Sequence, residues 1–152
     1  MNIVVTGASL TGNKGASAMC ISVINGLRNN YGSDIAIGLL SPKPDQDLEL
    51  ANQLNIKLFR YGGILRKSIP NHFLSKIIKN PLFDHDEVYD CYRWADLLID
   101  IHGINFSDSD SLTSTAIIPS AQIFLAYAMK IPIIKFTQTF GTMNRSTVKL
   151  VA

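Results

Sequence analysis

The chain has 152 residues, of which 47 % are hydrophobic and 17 % are charged, and its formal net charge is +2 at pH 7. This length is sufficient for one domain with a hydrophobic core, and the pI of about 8.6 lies below the range typical of nucleic-acid-binding domains. Two cysteines are too few for a disulfide framework, so Cys20 and Cys91 are predicted to be buried thiols of a cytoplasmic protein. The first residues carry no secretory signal, and two prolines and a lysine interrupt the most apolar stretch, so no transmembrane segment is predicted.

The apolar pattern predicts strands and helices that alternate along the whole chain. Short apolar runs predict five buried strands, at residues 3–5, 35–40, 56–59, 97–101 and 132–136. Apolar residues three and four positions apart predict helices at 14–30, 47–54, 71–79 and 84–95, from 118 onwards and from 146 onwards. The alternation predicts an α/β fold, in the form of a doubly wound, Rossmann-like parallel sheet of about five strands with helices on both faces. We expect residues 1–152 to form a single domain that is one half of a longer two-domain protein.

Three local features of these elements are also predicted. Asp84, followed three residues later by Glu87, is typical of a helix N-cap and predicts the start of the fourth helix. The fifth helix is expected to turn its apolar residues, including Phe124 and Leu125, towards the core. Residues 60–83 carry five basic side chains, and this mobile insertion presents either a solvated face or a loop that reaches an anionic ligand.

Three loops leave the carboxyl ends of the predicted strands, where doubly wound sheets bind their ligands. Helix N-termini favour anions, and amide side chains both donate and accept hydrogen bonds, as sugar hydroxyls require. The substrate-binding residues predicted from these loops are Asn13, Lys14, Gly15, His102, Gly103, Asn105, Asp108, Gln138, Thr139 and Gly141.

Each of these residues also has a structural interpretation. Asn13 either binds ligand or caps the first helix, and Gly15 either contacts ligand or allows close packing of helix and strand. His102 and Asp108 are the catalytic candidates, for proton transfer and for orienting a sugar hydroxyl. The plain alternatives are a hydrogen-bonded loop histidine, which is the favoured interpretation of His102, and a cap of the following segment for Asp108. Asp100 lies within a strand and is expected to bond the backbone of the loop. The three histidines are scattered, and no metal site is predicted.

Nucleotide-binding motifs are incomplete. Gly7 and Gly12 have the spacing of a P-loop, but Asn13 holds the lysine position and Lys14 the hydroxyl position. Of the dinucleotide-binding fingerprint G-x-G-x-x-G, only the last two glycines are present, at positions 12 and 15. The second strand ends at Ser41, where that class of fold has an acidic residue. An NAD(P)-binding oxidoreductase therefore remains an alternative without its full motif.

Three stretches in register resemble the polysaccharide pyruvyl transferase family. They are residues 12–16 (GNKGA), residues 96–108 (DLLIDIHGINFSD), and residues 126–134 (AYAMKIPII) together with 138–141 (QTFG). Two departures are visible, since many members carry three glycines at 102–104 and a serine at position 139. The resemblance implies one half of a glycosyltransferase-B-like architecture, with phosphoenolpyruvate as donor substrate and no other cofactor.

The resemblance also implies the reaction and its partners. A pyruvyl group passes from phosphoenolpyruvate to hydroxyls of a cell-surface polysaccharide, forming a cyclic ketal, and the donor site lies largely in a C-terminal domain that this chain lacks. The chain is then the N-terminal, acceptor-side half, inactive alone, with a sugar or polysaccharide acceptor and no nucleic acid as partner. A lipid-linked acceptor would allow peripheral association with a membrane. A non-catalytic sugar- or anion-binding module is the third alternative.

Overall fold

The computed structural model of the protein describes residues 1–78, 86–102, 104–105, 117–136 and 139–140. The strands are β1 (Asn2–Thr6), β2 (Ala36–Ser41), β3 (Lys57–Arg60), β4 (Leu97–Asp100), β5 (Ile104–Asn105), β6 (Ile133–Lys135) and β7 (Thr139–Phe140). The α-helices are α1 (Lys14–Tyr31), α2 (Pro44–Gln53), α3 (Ile69–Ile78), α4 (Glu87–Trp94) and α5 (Ile118–Ala128). A short 3₁₀ turn at Gly32–Asp34 follows α1, and a π-helix at Ile64–Ser68 leads directly into α3.

Five strands form one all-parallel sheet in the order β3-β2-β1-β4-β6. The chain builds outwards from β1 to β3 on one side, and then returns to add β4 and β6 on the other side. The point where the strand order reverses lies between β1 and β4, and in such sheets this is where the ligand crevice opens. The predicted α/β class, with a parallel sheet of about five strands, is confirmed.

Helices cover the two faces of the sheet because side chains alternate along each strand. Ile3 and Val5 of β1 pack with residues of α1 and α2, such as Ile24, in one buried cluster. Val4, between them, points to the opposite face and joins residues of α4 and α5, such as Leu125, in a second cluster. The prediction of helices on both faces is therefore confirmed.

Both cysteines are free and buried, as expected. Burial, reinforced by the charge of Asp47, raises the pKa of Cys20 to about 12. Burial also raises the pKa of Cys91 well above its ordinary value. Since the thiolate is the reactive form, neither side chain is a nucleophile at neutral pH, and both act as small core residues.

The helix α4 begins later than predicted. Its N-cap is Asp86, whose carboxylate accepts a hydrogen bond from the backbone N–H of Tyr89 at 3.1 Å. The same carboxylate accepts hydrogen bonds from Ser68 at 2.8 Å and Asn71 at 2.9 Å, so it joins the π-helix and α3 to α4. The predicted start at Asp84 is wrong because these tertiary bonds select Asp86, and Asp84 itself lies outside the described residues.

The prediction that Phe124 faces the core is also wrong. Leu125 is fully buried, whereas Phe124 is 47 % exposed and stacks on Phe73 of α3, with ring centroids 5.8 Å apart. Within the described part of the chain, no helix has both the length and the apolar character that crossing a bilayer requires.

Candidate functional site

A row of polar side chains lies at the carboxyl end of the sheet, at the switch point, where the strand order reverses between β1 and β4. Thr6, Asp100 and Lys135 are the last residues of β1, β4 and β6, and they are paired in register, Thr6 with Asp100 and Asp100 with Lys135. Thr6 and Asp100 are each only 1 % exposed. Apart from Asn2 at the start of β1, the three strands are apolar up to this row, so the row marks where the core ends and a polar site begins.

Asp100 is the centre of this row. One of its carboxylate oxygens accepts a hydrogen bond from the backbone N–H of His102 at 3.0 Å and lies 2.6 Å from His102 Nδ1. The other oxygen accepts a hydrogen bond from Lys135 Nζ at 2.8 Å. The expectation that Asp100 bonds the loop backbone is thus confirmed, and the carboxylate also holds two side chains.

These contacts keep Asp100 ionised and determine which ring nitrogen of His102 donates to it. Burial alone would raise the pKa of Asp100, but the hydrogen bonds and charge of His102 and the hydrogen bond from Lys135 together hold that pKa well below its usual range. An ionised carboxylate only accepts hydrogen bonds, so His102 Nδ1 must be the donor. In the neutral ring, Nε2 then carries the free lone pair and is the atom available to a ligand.

Gly7 allows His102 to approach β1. The φ angle of Gly7 is +100°, and a Cβ at this position would lie 2.5 Å from the backbone nitrogen of His102 and 2.6 Å from its Nδ1. A side chain at position 7 would therefore be strained and would also collide with His102. The glycine that sequence patterns associate with phosphate binding makes room here for a histidine.

A cavity of about 90 Å³ lies beside this contact, and its lining residues are Thr6, Gly7, Leu40, Pro42, Tyr61 and His102. A cavity of this size holds several water molecules or one small polar group. The Tyr61 hydroxyl is buried and has no hydrogen-bond partner among the described residues. Burial, with a smaller contribution from the charge of Asp100, raises the pKa of Tyr61 to about 12, so the hydroxyl is a donor at neutral pH.

Gln122 of α5 extends the polar site below the row. It is 1 % exposed, and its Nε2 donates to the Thr6 hydroxyl at 3.4 Å. Its Oε1 is buried without a hydrogen-bond partner in the described part of the chain. Buried polar atoms left unpaired cost about 1–3 kcal/mol each. One unpaired donor, on Tyr61, and one unpaired acceptor, on Gln122, therefore lie in this region, and both atoms are buried.

Beyond Gly7, the loop after β1 does not line this cavity. Asn13, Lys14 and Gly15 are all exposed at the start of α1, and none of them lines the cavity. Asn13 is the N-cap, and its side-chain oxygen accepts a hydrogen bond from the backbone N–H of Gly15 at 2.9 Å. A Cβ on Gly15 would meet only Asn13 Oδ1, at 3.4 Å, so the interpretation of Gly15 as a helix–strand packing residue is wrong.

The same loop is held down by Asp47, a buried residue of α2. The backbone N–H and the hydroxyl of Thr11 both donate to Asp47 Oδ1, at 2.9 Å and 2.6 Å. Ser41 donates to Asp47 Oδ2 at 2.6 Å. Ser41 stands where dinucleotide-binding folds place the acidic residue for the ribose, and here its hydroxyl is buried in this contact.

Replacing Asn13 with alanine is expected to lower the free energy of unfolding by about 1 kcal/mol, because the start of α1 loses its cap. Asn13→Asp keeps the acceptor and adds a charge that the helix N-terminus favours, so it should be at least as stable as the wild type. Urea unfolding followed by circular dichroism measures both variants. Equal stability of Asn13→Ala and the wild type would contradict the capping role.

The remaining predicted site residues lie in the two later loops. Asn105 and Thr139 belong to β5 and β7, which pair in parallel with Ile104 opposite Thr139, so the backbone places these two loops side by side. Gly103, Asp108, Gln138 and Gly141 lie outside the described residues.

Four residues of the polar site were not predicted, namely Thr6, Tyr61, Gln122 and Lys135. Thr6 and Lys135 carry a sequence signal, since each is a polar residue at the end of a predicted apolar strand. In the described parts of the chain, no group of three or more His, Cys, Asp or Glu side chains is placed to hold a metal ion.

The chain was also compared with known proteins. Comparisons with models of protein families, with curated proteins and with solved structures found no match. The geometry of the site and the three stretches that resemble a known family are therefore the features that bear on function.

Proposed function

We propose that this chain is the acceptor-side α/β domain of a polysaccharide pyruvyl transferase-like enzyme, which transfers a pyruvyl group from phosphoenolpyruvate to sugar hydroxyls. The observation that carries the proposal is the pair formed by Asp100 and His102 at the switch point of the sheet. It supplies an oriented base beside a small cavity whose walls are partly apolar.

The proposed role of this pair follows from its protonation. Ketal formation joins two sugar oxygens to the central carbon of phosphoenolpyruvate, while the methylene carbon gains a proton and phosphate leaves. The first attacking hydroxyl must lose its proton, and a positioned imidazole accelerates such a step by about 10²–10⁴-fold. His102 Nε2 is the acceptor for that proton, since Nδ1 already donates to Asp100. The Asp100 carboxylate holds the ring in place and stabilises the imidazolium that forms.

The cavity fits one polar substituent of a sugar. Leu40 and Pro42 offer an apolar wall, as the carbon face of a sugar requires, and the Tyr61 hydroxyl is a buried, unused donor that a ligand reaches only if the lining moves. The ammonium of Lys135 is 2.8 Å from Asp100, and its charge is thereby matched. This arrangement favours a neutral hydroxyl group over phosphoenolpyruvate at this position, in agreement with an acceptor subsite.

The test is a titration of the chain with a panel of neutral mono- and disaccharides, followed by amide NMR shifts. We expect binding that weakens about five- to thirtyfold in His102→Ala, since a lost hydrogen bond in a polar site costs about 1–2 kcal/mol. Tyr61→Phe removes the cavity's unused donor and should also weaken binding. Lys57→Ala, at the opposite edge of the sheet, is the matched control and should bind as the wild type does.

Two outcomes would contradict the proposal. Shifts around β1 and β2 on addition of NAD(P), without any response to sugars, would favour the oxidoreductase. Sugar binding that is equal in the wild type and His102→Ala would remove the proposed role of the pair. When the chain alone is incubated with phosphoenolpyruvate and a sugar acceptor, no phosphate should be released from phosphoenolpyruvate, because the donor site is proposed to lie in another domain.

A further inference from the structure

An exposed apolar surface lies on the face of the sheet that α3 and α5 cover. Large hydrophobic side chains exposed there are Leu65 at 43 %, Phe73 at 43 %, Leu74 at 37 %, Ile117 at 39 %, Phe124 at 47 % and Tyr127 at 82 %. We call these six residues the α3–α5 patch. Soluble proteins usually expose large apolar side chains singly, and several together mark an interaction surface.

The patch is continuous across the two helices. The rings of Phe73 and Phe124 are stacked, with centroids 5.8 Å apart and an angle of 25° between their planes. Ile117, Phe124 and Tyr127 are separated by seven and three residues, so they lie along one stripe of α5. The exposed aromatic rings therefore form one surface supported by α3 and α5.

The elements that carry the patch are basic and contain no acidic residue. The π-helix brings Arg66 and Lys67, both exposed, next to Leu65. No aspartate or glutamate occurs in the π-helix, α3 or α5, and none occurs anywhere from residue 61 to residue 83. The patch thus combines apolar rings with positive charge. The nearest carboxylates come from α4, where Asp86, which is buried, and Glu87 line a cavity together with Lys67, so Arg66 is the basic residue beside the patch that lies outside this cavity.

We propose that the α3–α5 patch binds peripherally to a lipid bilayer that contains anionic lipids. Aromatic side chains are well suited to the boundary between headgroups and acyl chains, and each basic residue near an anionic surface contributes about 1 kcal/mol. A second copy of the chain is a poorer occupant, because a two-fold contact through this patch would bring its basic residues towards each other. This inference does not depend on the proposed transferase activity.

The sheet offers an internal control on its other face. Phe136, at the end of β6, is also 47 % exposed, and it lines an apolar groove with Met19 and Val23 of α1. Among the described residues, none of those that line this groove is charged. A serine at position 136 therefore removes the same ring with the same exposure, but away from the basic residues.

The experiment is co-sedimentation of the chain with vesicles of phosphatidylcholine alone and of an equal mixture of phosphatidylcholine and phosphatidylglycerol. The wild type should bind the anionic vesicles more tightly than the phosphatidylcholine vesicles. Its affinity for the anionic vesicles should fall as salt is added. The double variant Arg66→Gln/Lys67→Gln should lose at least about tenfold in affinity for the anionic vesicles, as two lost charges imply. Phe124→Ser/Tyr127→Ser should lose at least about tenfold on the same vesicles, whereas Phe136→Ser should bind as the wild type does.

Thermal unfolding of each variant shows whether it is folded. If Phe124→Ser/Tyr127→Ser is unfolded, Arg66→Gln/Lys67→Gln still tests the proposal, because it alters only exposed side chains. Absence of wild-type binding to either vesicle would overturn the proposal, as would equal losses in Phe124→Ser/Tyr127→Ser and Phe136→Ser. A wild type that sediments as a dimer, becomes a monomer on Phe124→Ser/Tyr127→Ser and ignores vesicles would assign the patch to self-association instead.

Discussion

Asp100→Asn is expected to lower the free energy of unfolding by about 3 kcal/mol at neutral pH. The carboxylate is buried, and it accepts hydrogen bonds from Lys135 Nζ, at 2.8 Å, and from the backbone and ring of His102. An asparagine offers one acceptor oxygen and no charge, so the Lys135 ammonium, 26 % exposed, loses the carboxylate that it contacts. Removing one partner of a buried ion pair costs about 3–5 kcal/mol, and partial exposure of Lys135 places this case at the lower end.

The pH dependence of this loss distinguishes the lost charge from a mere change in packing. The pKa of Asp100 is held well below its usual value in the folded protein, so its contribution to stability is fully present above the unfolded pKa of about 3.9. That contribution is lost as the pH falls further, through the folded pKa. The difference in stability between the wild type and Asp100→Asn should therefore be present at about pH 5 and shrink below about pH 4.

Urea unfolding at a series of pH values measures this difference. Asp34→Asn, at an exposed position near the amino edge of the sheet, is the matched control and should change stability by less than about 0.5 kcal/mol. If the stability difference between the wild type and Asp100→Asn grows as the pH falls, or vanishes at pH 7, then Asp100 is not an ionised carboxylate hydrogen-bonded to both His102 and Lys135.

The fold was predictable because its main determinants are local. Short apolar runs such as residues 3–5 and 97–99 have no polar side, which is typical of strands buried on both faces. Glycine and proline mark the ends of several elements, and helices of period 3.6 fill the intervals. The start of α4 was misplaced because Asp84 and Asp86 are both good caps locally, and only the contacts of Asp86 with Ser68 and Asn71 decide between them.

The composition of the polar site was less predictable, because it depends on the register between strands. Thr6, Asp100 and Lys135 become neighbours only through the strand order β1-β4-β6, which the sequence does not display. Tyr61 and Gln122 look like ordinary residues of a loop and a helix. His102 was recognisable because it follows directly after a buried strand.

Phe124 shows a different limit of sequence patterns. It occupies a position with helical spacing and an apolar neighbour, Leu125, so a pattern alone places both towards the core. The two side chains point about 100° apart around the helix axis, and the core has room for only one of them. The structure buries Leu125 and leaves Phe124 at the surface, in contact with Phe73.

Gly7→Ala is expected to lower the free energy of unfolding by about 3 kcal/mol and to displace His102. The φ angle of +100° is unfavourable for alanine, and the added Cβ would lie 2.5 Å from the backbone nitrogen of His102. Backbone strain and overpacking each cost about 1–3 kcal/mol. The collision involves backbone, so rotation of a side chain cannot relieve it, and the loop that starts at His102 must move. Urea unfolding measures the loss of stability, and the amide NMR shift of His102 reports its movement.

Two further variants separate the contributions to this effect. Gly15→Ala is the control, because its Cβ would meet only Asn13 Oδ1, at 3.4 Å, and it should change stability by less than about 1 kcal/mol. Adding His102→Ala to Gly7→Ala removes the ring contact at 2.6 Å but keeps the backbone contact at 2.5 Å, so stability should recover only in part. Full recovery would assign the collision to the ring alone. A Gly7→Ala protein of wild-type stability, with the His102 amide unshifted, would show that β1 and the His102 loop are not in the close contact on which the oriented base depends.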